Sequence, residues 1–143
     1  MNLSSDSNTE TQRIEAYRVS RHACIGTLPR HFGRHMMTVE GQIYDLMCRF
    51  SPDYTGGEWQ FLELSNCGFY MTPPDKSLRL SIPSNGYEGH MTADAAGITV
   101  CLFAFSQLSF QYQDVEIFSR HFHRLRDFAI GHAESVQIFE AID

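Results

Sequence analysis

The chain has 143 residues, 43% of them hydrophobic and 20% charged, and carries a net charge of −6 from 11 Lys/Arg against 17 Asp/Glu. That length corresponds to one domain of the usual roughly 100–200 residues, and the composition excludes a disordered or fibrous chain. The acidic excess argues against a phosphate-tracking surface. The scatter of the acids, often beside arginine as in Arg126-Asp127, argues against a DNA mimic, which needs dense carboxylate rows to match one charge per ~1.7 Å of duplex.

Residues 1–12 are polar and lack aromatics, the composition of a disordered tail ahead of a folded domain over 13–143. This stretch has neither the basic nor the apolar region of a signal peptide. The longest apolar run, Ile98 to Phe105, falls far short of the ~20 residues that cross a bilayer. The expectation is a cytoplasmic protein with no membrane association. Between 13 and 33 the pattern yields only a short Ile14–Val19 segment and a bend at Leu28-Pro29-Arg30.

From Met36 the spacing turns helical. Met36, Val39, Ile43, Met47 and Phe50 recur at intervals of three and four, with Thr38, Gln42, Asp45 and Arg49 on the other side. Ser51-Pro52 and Gly56-Gly57 stop the helix. Strand-sized pieces follow: aromatic-rich Glu58–Leu64, a turn at Ser65-Asn66-Cys67-Gly68, a strand at Phe69–Thr72 and a loop at Pro73-Pro74-Asp75-Lys76. Leu78, Leu80 and Ile82 alternate with Arg79 and Ser81, the pattern of a half-buried strand. Asn85-Gly86, two residues that tolerate positive φ, predicts a hairpin returning through Tyr87–Met91.

Thr92 can cap the helix that starts next, and Asp94 sits near the positive end of its dipole. Ile98–Phe105 is apolar on every side, and its continuation through Gln107-Leu108 without Gly or Pro favours a helix buried under the sheet. Val115, Phe118, Phe122, Leu125 and Ala129 form one face of a third helix, with Arg120, His123 and Asp127 outward and Gly131 closing it. Ala133–Ala141 is a short final helix. Helices that follow a contiguous set of strands indicate α+β: a four-stranded antiparallel meander packed with about four helices in a single compact domain.

Motifs that would carry chemistry are missing from the pattern. Cys24, Cys48, Cys67 and Cys101 include no CxxC pair, which predicts reduced thiols used as small core hydrophobes. His31 and His35 are four apart, but Pro29 and Gly33 argue against one regular helix through both, and no Glu follows His31 as HExxH requires. His121 and His123 are two apart and face different directions on a helix. The expectation is no metal and no cofactor, with surface or internally satisfied histidines. No GxSxG or activated Ser or Cys context is present, although a small hydrolase or metal-dependent enzyme could assemble from dispersed His, Cys and Asp.

Trp59, Phe61, Phe69, Tyr70 and Tyr87 could stack bases as RNA-binding sheets do, but only Lys76 and Arg79 accompany them, so sheet core is the expected role. Asn66, Asn85, Glu88 and Asp94 lie in turns or at a helix start, where Asn and Asp are structurally favoured and where partner contacts also concentrate.

Several segments together resemble the ArdB/KlcA antirestriction family of bacterial plasmids and other mobile elements. They are LPRHFGRHMM (28–37), GGEWQF (56–61), LSNCGFYM (64–71), NGYEGHMTADAAGI (85–98), LRDFAIGH (125–132) and the terminal AID (141–143). Cys67 stands where the family's turn has Gly, which restricts the backbone there. The resemblance implies an α+β protein that relieves type I restriction of incoming unmodified DNA and largely spares modification. It further implies no enzyme activity, no DNA mimicry and no catalytic residues. The expected partner is the host type I restriction machinery or a factor linked to it; no stable DNA binding is expected, and the chain is expected to be a monomer. The expected contact surface comprises Asn66, Asn85, Glu88 and Asp94, with Asp143 at the chain end. On that reading, Asp94→Asn weakens antirestriction more than stability.

Overall fold

The computed structural model describes residues 13–143, so the tail expected over 1–12 lies outside the described residues. The elements run β1 (Ala16–Arg18), α1 (Cys24–Phe32), α2 (Met36–Phe50), β2 (Gln60–Leu64), β3 (Phe69–Thr72), β4 (Ser77–Ile82), β5 (Tyr87–Thr92), α3 (Ala93–Gln111), α4 (Ile117–Ile130) and α5 (Ser135–Ile142). Short 3-10 turns at Arg21–Ala23 and Gly33–His35 precede α1 and α2. The fold is α+β, with strands grouped ahead of the C-terminal helices.

The four expected strands are present, but they divide between two antiparallel sheets, β1-β2-β3 and β4-β5, with no pairing of β3 to β4. Phe61 pairs with Met71 in the first, and Leu80 with Gly89 in the second. The division falls at Pro73-Pro74, which lack the N–H groups that a continuing ladder needs. The additional strand β1 pairs Ala16 with Leu64 and Arg18 with Leu62. Its three residues are mostly exposed, too short an alternation to register as a strand.

Instead of bending at Leu28-Pro29-Arg30, the chain continues α1 through Pro29. The ring removes the bond to the Ile25 carbonyl, and both residues lie on the exposed side of the helix, where that loss costs least. Gly33 then ends α1 at φ +54, which separates His31 from His35. Val39, Ile43, Met47 and Phe50 form the buried face of α2 as the spacing predicts, joined by Leu46.

The core sits around α3. Every residue from Ala95 to Leu102 is buried, and the helix packs against β3, α2, α4 and α5. Gly97 permits the close approach to β3: a Cβ there would lie 2.4 Å from the Met71 carbonyl oxygen. By length and composition α3 could cross a membrane, with mean hydropathy 1.4, but 67% of that stretch is buried within the fold, the position of a core helix.

In α4, Phe118, Leu125 and Ala129 turn inward and Arg120, His123 and Asp127 outward; His121 also turns inward. Gly131 closes α4 at φ −93, outside the left-handed region. The β4–β5 connection is the four-residue loop 83–86, in which Gly86 alone takes positive φ, at +70. Cys67 is the one non-glycine residue with positive φ, at 72, among the described residues, a backbone conformation that glycine adopts more readily.

Candidate functional site

Asp94 lies in the first turn of α3, where Thr92 caps the helix by accepting the Ala95 N–H at 3.3 Å. Its Oδ1 accepts the Tyr70 hydroxyl at 2.7 Å, and its Oδ2 meets His132 Nε2 at 2.7 Å. The Glu134 N–H donates to His132 Nδ1 at 2.9 Å, so that nitrogen is an acceptor and the ring proton sits on Nε2, donated to Asp94. The Glu134 carboxylate in turn accepts the Thr92 N–H at 3.0 Å and the Thr92 hydroxyl. Burial opposes the charge on Asp94, but the hydrogen bonds from His132 and Tyr70 outweigh it and hold the carboxyl below its usual 3.8. Burial and the neighbouring Asp94 charge push the Tyr70 hydroxyl up. The result is a closed polar junction that clamps β3, α3 and the α4–α5 turn together.

The other expected contact residues fall in different places. Asn66 Oδ1 accepts the Gly68 N–H at 3.0 Å and its Nδ2 donates to the Arg124 carbonyl at 3.0 Å, fastening the β2–β3 turn to α4. Asn85 Nδ2 donates to the Ala141 carbonyl at 2.6 Å, which brings the β4–β5 loop to the end of α5, close to exposed Asp143. Glu88 stands on β5, exposed and paired with Arg79 at 3.0 Å. Asn85 and Asp143 are thus brought together at one end of α5, whereas Asp94 lies at its other end and Asn66 against α4.

A second polar constellation escaped the sequence reading. His31 and His121, expected to be surface or satisfied, pack edge to face with ring centroids 5.1 Å apart. His121 also lies against Phe32 and Phe105, at 4.6 and 5.7 Å. The two rings line a cleft of about 530 Å³ together with Arg30, Glu63, Arg120 and Arg124. Glu63 accepts Arg30 and meets His31 Nε2 at 2.7 Å. Arg124 reaches the Cys67 carbonyl and Arg120 reaches Glu116, each at 3.4 Å, long contacts that bind these forks weakly.

Burial disfavours charge on both histidines. It lowers His31 despite the Glu63 bond. Together with the charges of His31, Arg124 and Arg120, it pushes His121 down to about 3. His121 is 2% exposed, and its Nδ1 is buried without a hydrogen-bond partner. The local sign of this cleft was Arg120 and Arg124, one turn apart on α4; their meeting with α1 and β2 is set by tertiary packing.

The remaining candidates separate by burial. Trp59, Phe61, Phe69 and Tyr70 are core residues and Tyr87 is half-buried, so these rings present no base-stacking face. All four cysteines are free, but Cys101 alone is buried, with its thiol pushed up to about 12, while Cys48 and Cys67 are exposed. The expected core role therefore does not extend to those two, which occupy an outward helix position and a turn. Among the described residues no three His, Cys, Asp or Glu side chains converge as metal ligands.

Over the described residues the fold is thus two antiparallel sheets and five helices with α3 buried at the centre, its polar bonds fastening the elements to one another. Residues 52–143 match the sequence model of the antirestriction protein family. Two antirestriction proteins KlcA of Escherichia coli are 39% identical over 91% of this chain and 94% of theirs, and 36% identical over 95% and 99%. The fold is similar to the solved structure of KlcA and ArdB proteins, at TM-score 0.84 and 38% identity, covering 92% of this chain and 96% of that one. Those proteins are described as having a novel fold and antirestriction activity against type I DNA restriction systems in vivo but not in vitro. The chain belongs to the antirestriction protein family.

Proposed function

We propose that this chain relieves type I restriction of incoming unmodified DNA inside the bacterial cytoplasm, largely sparing modification, as a monomeric interaction protein and not as an enzyme or a DNA mimic. The observation that carries the reading is its similarity, over nearly the whole chain, to proteins with that activity in vivo but not in vitro. An effect that needs the cell favours a partner beyond the purified restriction enzyme and its DNA: the host type I machinery in its working state, or a factor linked to it.

The charge arrangement supports the same reading. Glu58, Glu63, Glu88 and Glu116 each pair with an arginine, so they do not form the bare carboxylate rows that imitate duplex phosphates. Asn66, Asn85 and Asp94 shape the contact surface through their internal bonds, and the exposed carboxylates of Glu88 and Asp143 meet the partner.

The test is the plating efficiency of unmodified phage on a host with an active type I system, with and without expression of this chain. Efficiency rises on expression, while progeny phage still acquire protective modification. Unchanged plating at confirmed soluble expression contradicts the proposal.

A further inference from the structure

The cleft between α1, β2 and α4 has no part in the contact surface proposed above, and its chemistry points to a ligand. Three arginines face one carboxylate there, in a chain whose overall charge is −6. Glu63 is already engaged by Arg30 and His31, whereas Arg120 and Arg124 make only long contacts. Two guanidinium forks one turn apart, weakly engaged, suit a tetrahedral oxyanion that accepts paired hydrogen bonds.

The second observation is independent of charge. The Nδ1 atom of His121 is buried and has no partner, an exception that a folded protein rarely tolerates without a reason. Burial keeps the imidazole neutral, and a neutral imidazole carries one N–H and one acceptor nitrogen, so the unpartnered Nδ1 is open to a donor when the proton sits on Nε2. With Nδ1 in that role the missing partner is a donor, in a cleft that three arginines also line. A hydrogen phosphate or a protonated phosphate monoester carries both features: oxygens for arginine and one O–H for an imidazole nitrogen. Sulfate and carboxylates bring no such proton near neutral pH, and a monoester keeps its own only near and below its second pKa of about 6. The cleft volume of about 530 Å³ lies within the range of small-ligand sites.

We propose that this cleft binds free hydrogen phosphate or the phosphate group of a small monoester, held by Arg30, Arg120 and Arg124 with the O–H directed at His121 Nδ1. Binding draws the arginine forks inward and pairs the buried nitrogen. The groups facing His121 are His31, Arg30 and Glu63 from α1 and β2, and Arg120 and Arg124 from its own helix.

The experiment titrates the full chain at low salt with inorganic phosphate, a nucleoside 5′-monophosphate and sulfate, following the ring resonances of His31 and His121 by NMR. Saturable shifts of both rings are expected with phosphate and not with sulfate. Tighter binding of the monophosphate assigns the source as a monoester; equal or weaker binding assigns it as free phosphate. The double variant Arg120→Gln, Arg124→Gln, both at long-contact positions, lowers the phosphate affinity about tenfold or more with the thermal midpoint retained. His121→Phe, if it folds, abolishes the preference for phosphate over sulfate. No saturable shift, equal response to sulfate, or affinity untouched by the arginine substitutions would overturn the proposal. The outcome is independent of phage plating, so each proposal can fail alone.

Discussion

The Asp94 junction and the arginine–histidine cleft are both polar, both long-range and both anchored on α4 or its end, yet they are built to opposite rules. At the junction every polar atom in the chain Tyr70–Asp94–His132–Glu134–Thr92 meets a partner within the protein. In the cleft two arginines make only long contacts and the His121 Nδ1 makes none. A closed network stabilises and specifies one fold; an open one is poised for something outside. The contrast separates residues that hold the structure from residues available to a ligand, a distinction that residue type and local pattern do not make.

The largest expected effect lies beneath the junction. Gly97→Ala places a Cβ 2.4 Å from the Met71 carbonyl oxygen and 2.9 Å from Thr72 Cγ2, and neither backbone nor a buried strand can give way cheaply. A loss of about 1–3 kcal/mol or more follows, read as a lower midpoint in denaturant unfolding. Retention of full stability would show that α3 and β3 can part without cost.

Next comes Asp94→Asn, which replaces a charged acceptor with an amide that can accept only at one oxygen. With hydrogen bonds to charged groups worth about 1.5–3 kcal/mol, the variant should lose roughly that amount. Arg124→Gln, which alters only a long exposed contact, should stay within about 0.5 kcal/mol. Chemical denaturation of the pair measures the contrast directly, and equal losses would erase it.

Acid separates the two regions by pH window. His121 is depressed in the folded state from 6.5 to about 3, so below 6.5 the unfolded chain binds more protons and stability falls as pH drops toward about 3. The slope approaches about 1.4 kcal/mol per pH unit where His121 dominates. Asp94 is also depressed, and its contribution, present above its usual 3.8, is lost only as pH falls below that value. His121→Phe should therefore flatten stability between pH 6.5 and 4, while Asp94→Asn alters only the most acidic part. Midpoints measured across this range decide it; a His121→Phe profile parallel to the parent contradicts the buried neutral imidazole.

The smallest effect sits beside the cleft. Cys67 carries φ 72, a conformation that costs a side-chain-bearing residue roughly 1–2 kcal/mol. Cys67→Gly removes that strain and adds chain entropy to the unfolded state, for a net gain of up to about 1 kcal/mol. A drop in melting temperature would mean that the thiol itself stabilises the turn.

Legibility in the sequence followed the range of the interaction. The period of Val39, Ile43, Met47 and Phe50 placed α2, because helical spacing is written locally, whereas α3, apolar on every side, was legible only from the length of its run without Gly or Pro beyond Ile98. Strands β2 to β5 were legible from alternation and turn residues, but the break at Pro73-Pro74 leaves two sheets where alternation alone suggests one. β1 is three residues long and takes its order from Leu62 and Leu64 across the sheet. Asp94 stood out as a helix-start residue, yet its partners lie 24 and 38 positions away. The cleft left almost no local mark, since His31, Glu63 and His121 meet only after the helices pack.

The division between holding and contacting residues can be tested on the proposed function with one measurement: plating efficiency of unmodified phage on a type I restricting host, divided by the amount of folded protein in the same cells. Asp94→Asn, expected from the sequence to weaken antirestriction more than stability, should instead leave that ratio unchanged, because in the structure Asp94 is bonded to Tyr70 and His132 and its loss acts through the folded fraction. The double variant Glu88→Gln, Asp143→Asn should lower it at unchanged folded protein. A normal ratio for the double variant, with a collapsed ratio for Asp94→Asn, would contradict the account and make the half-exposed junction itself the contact site.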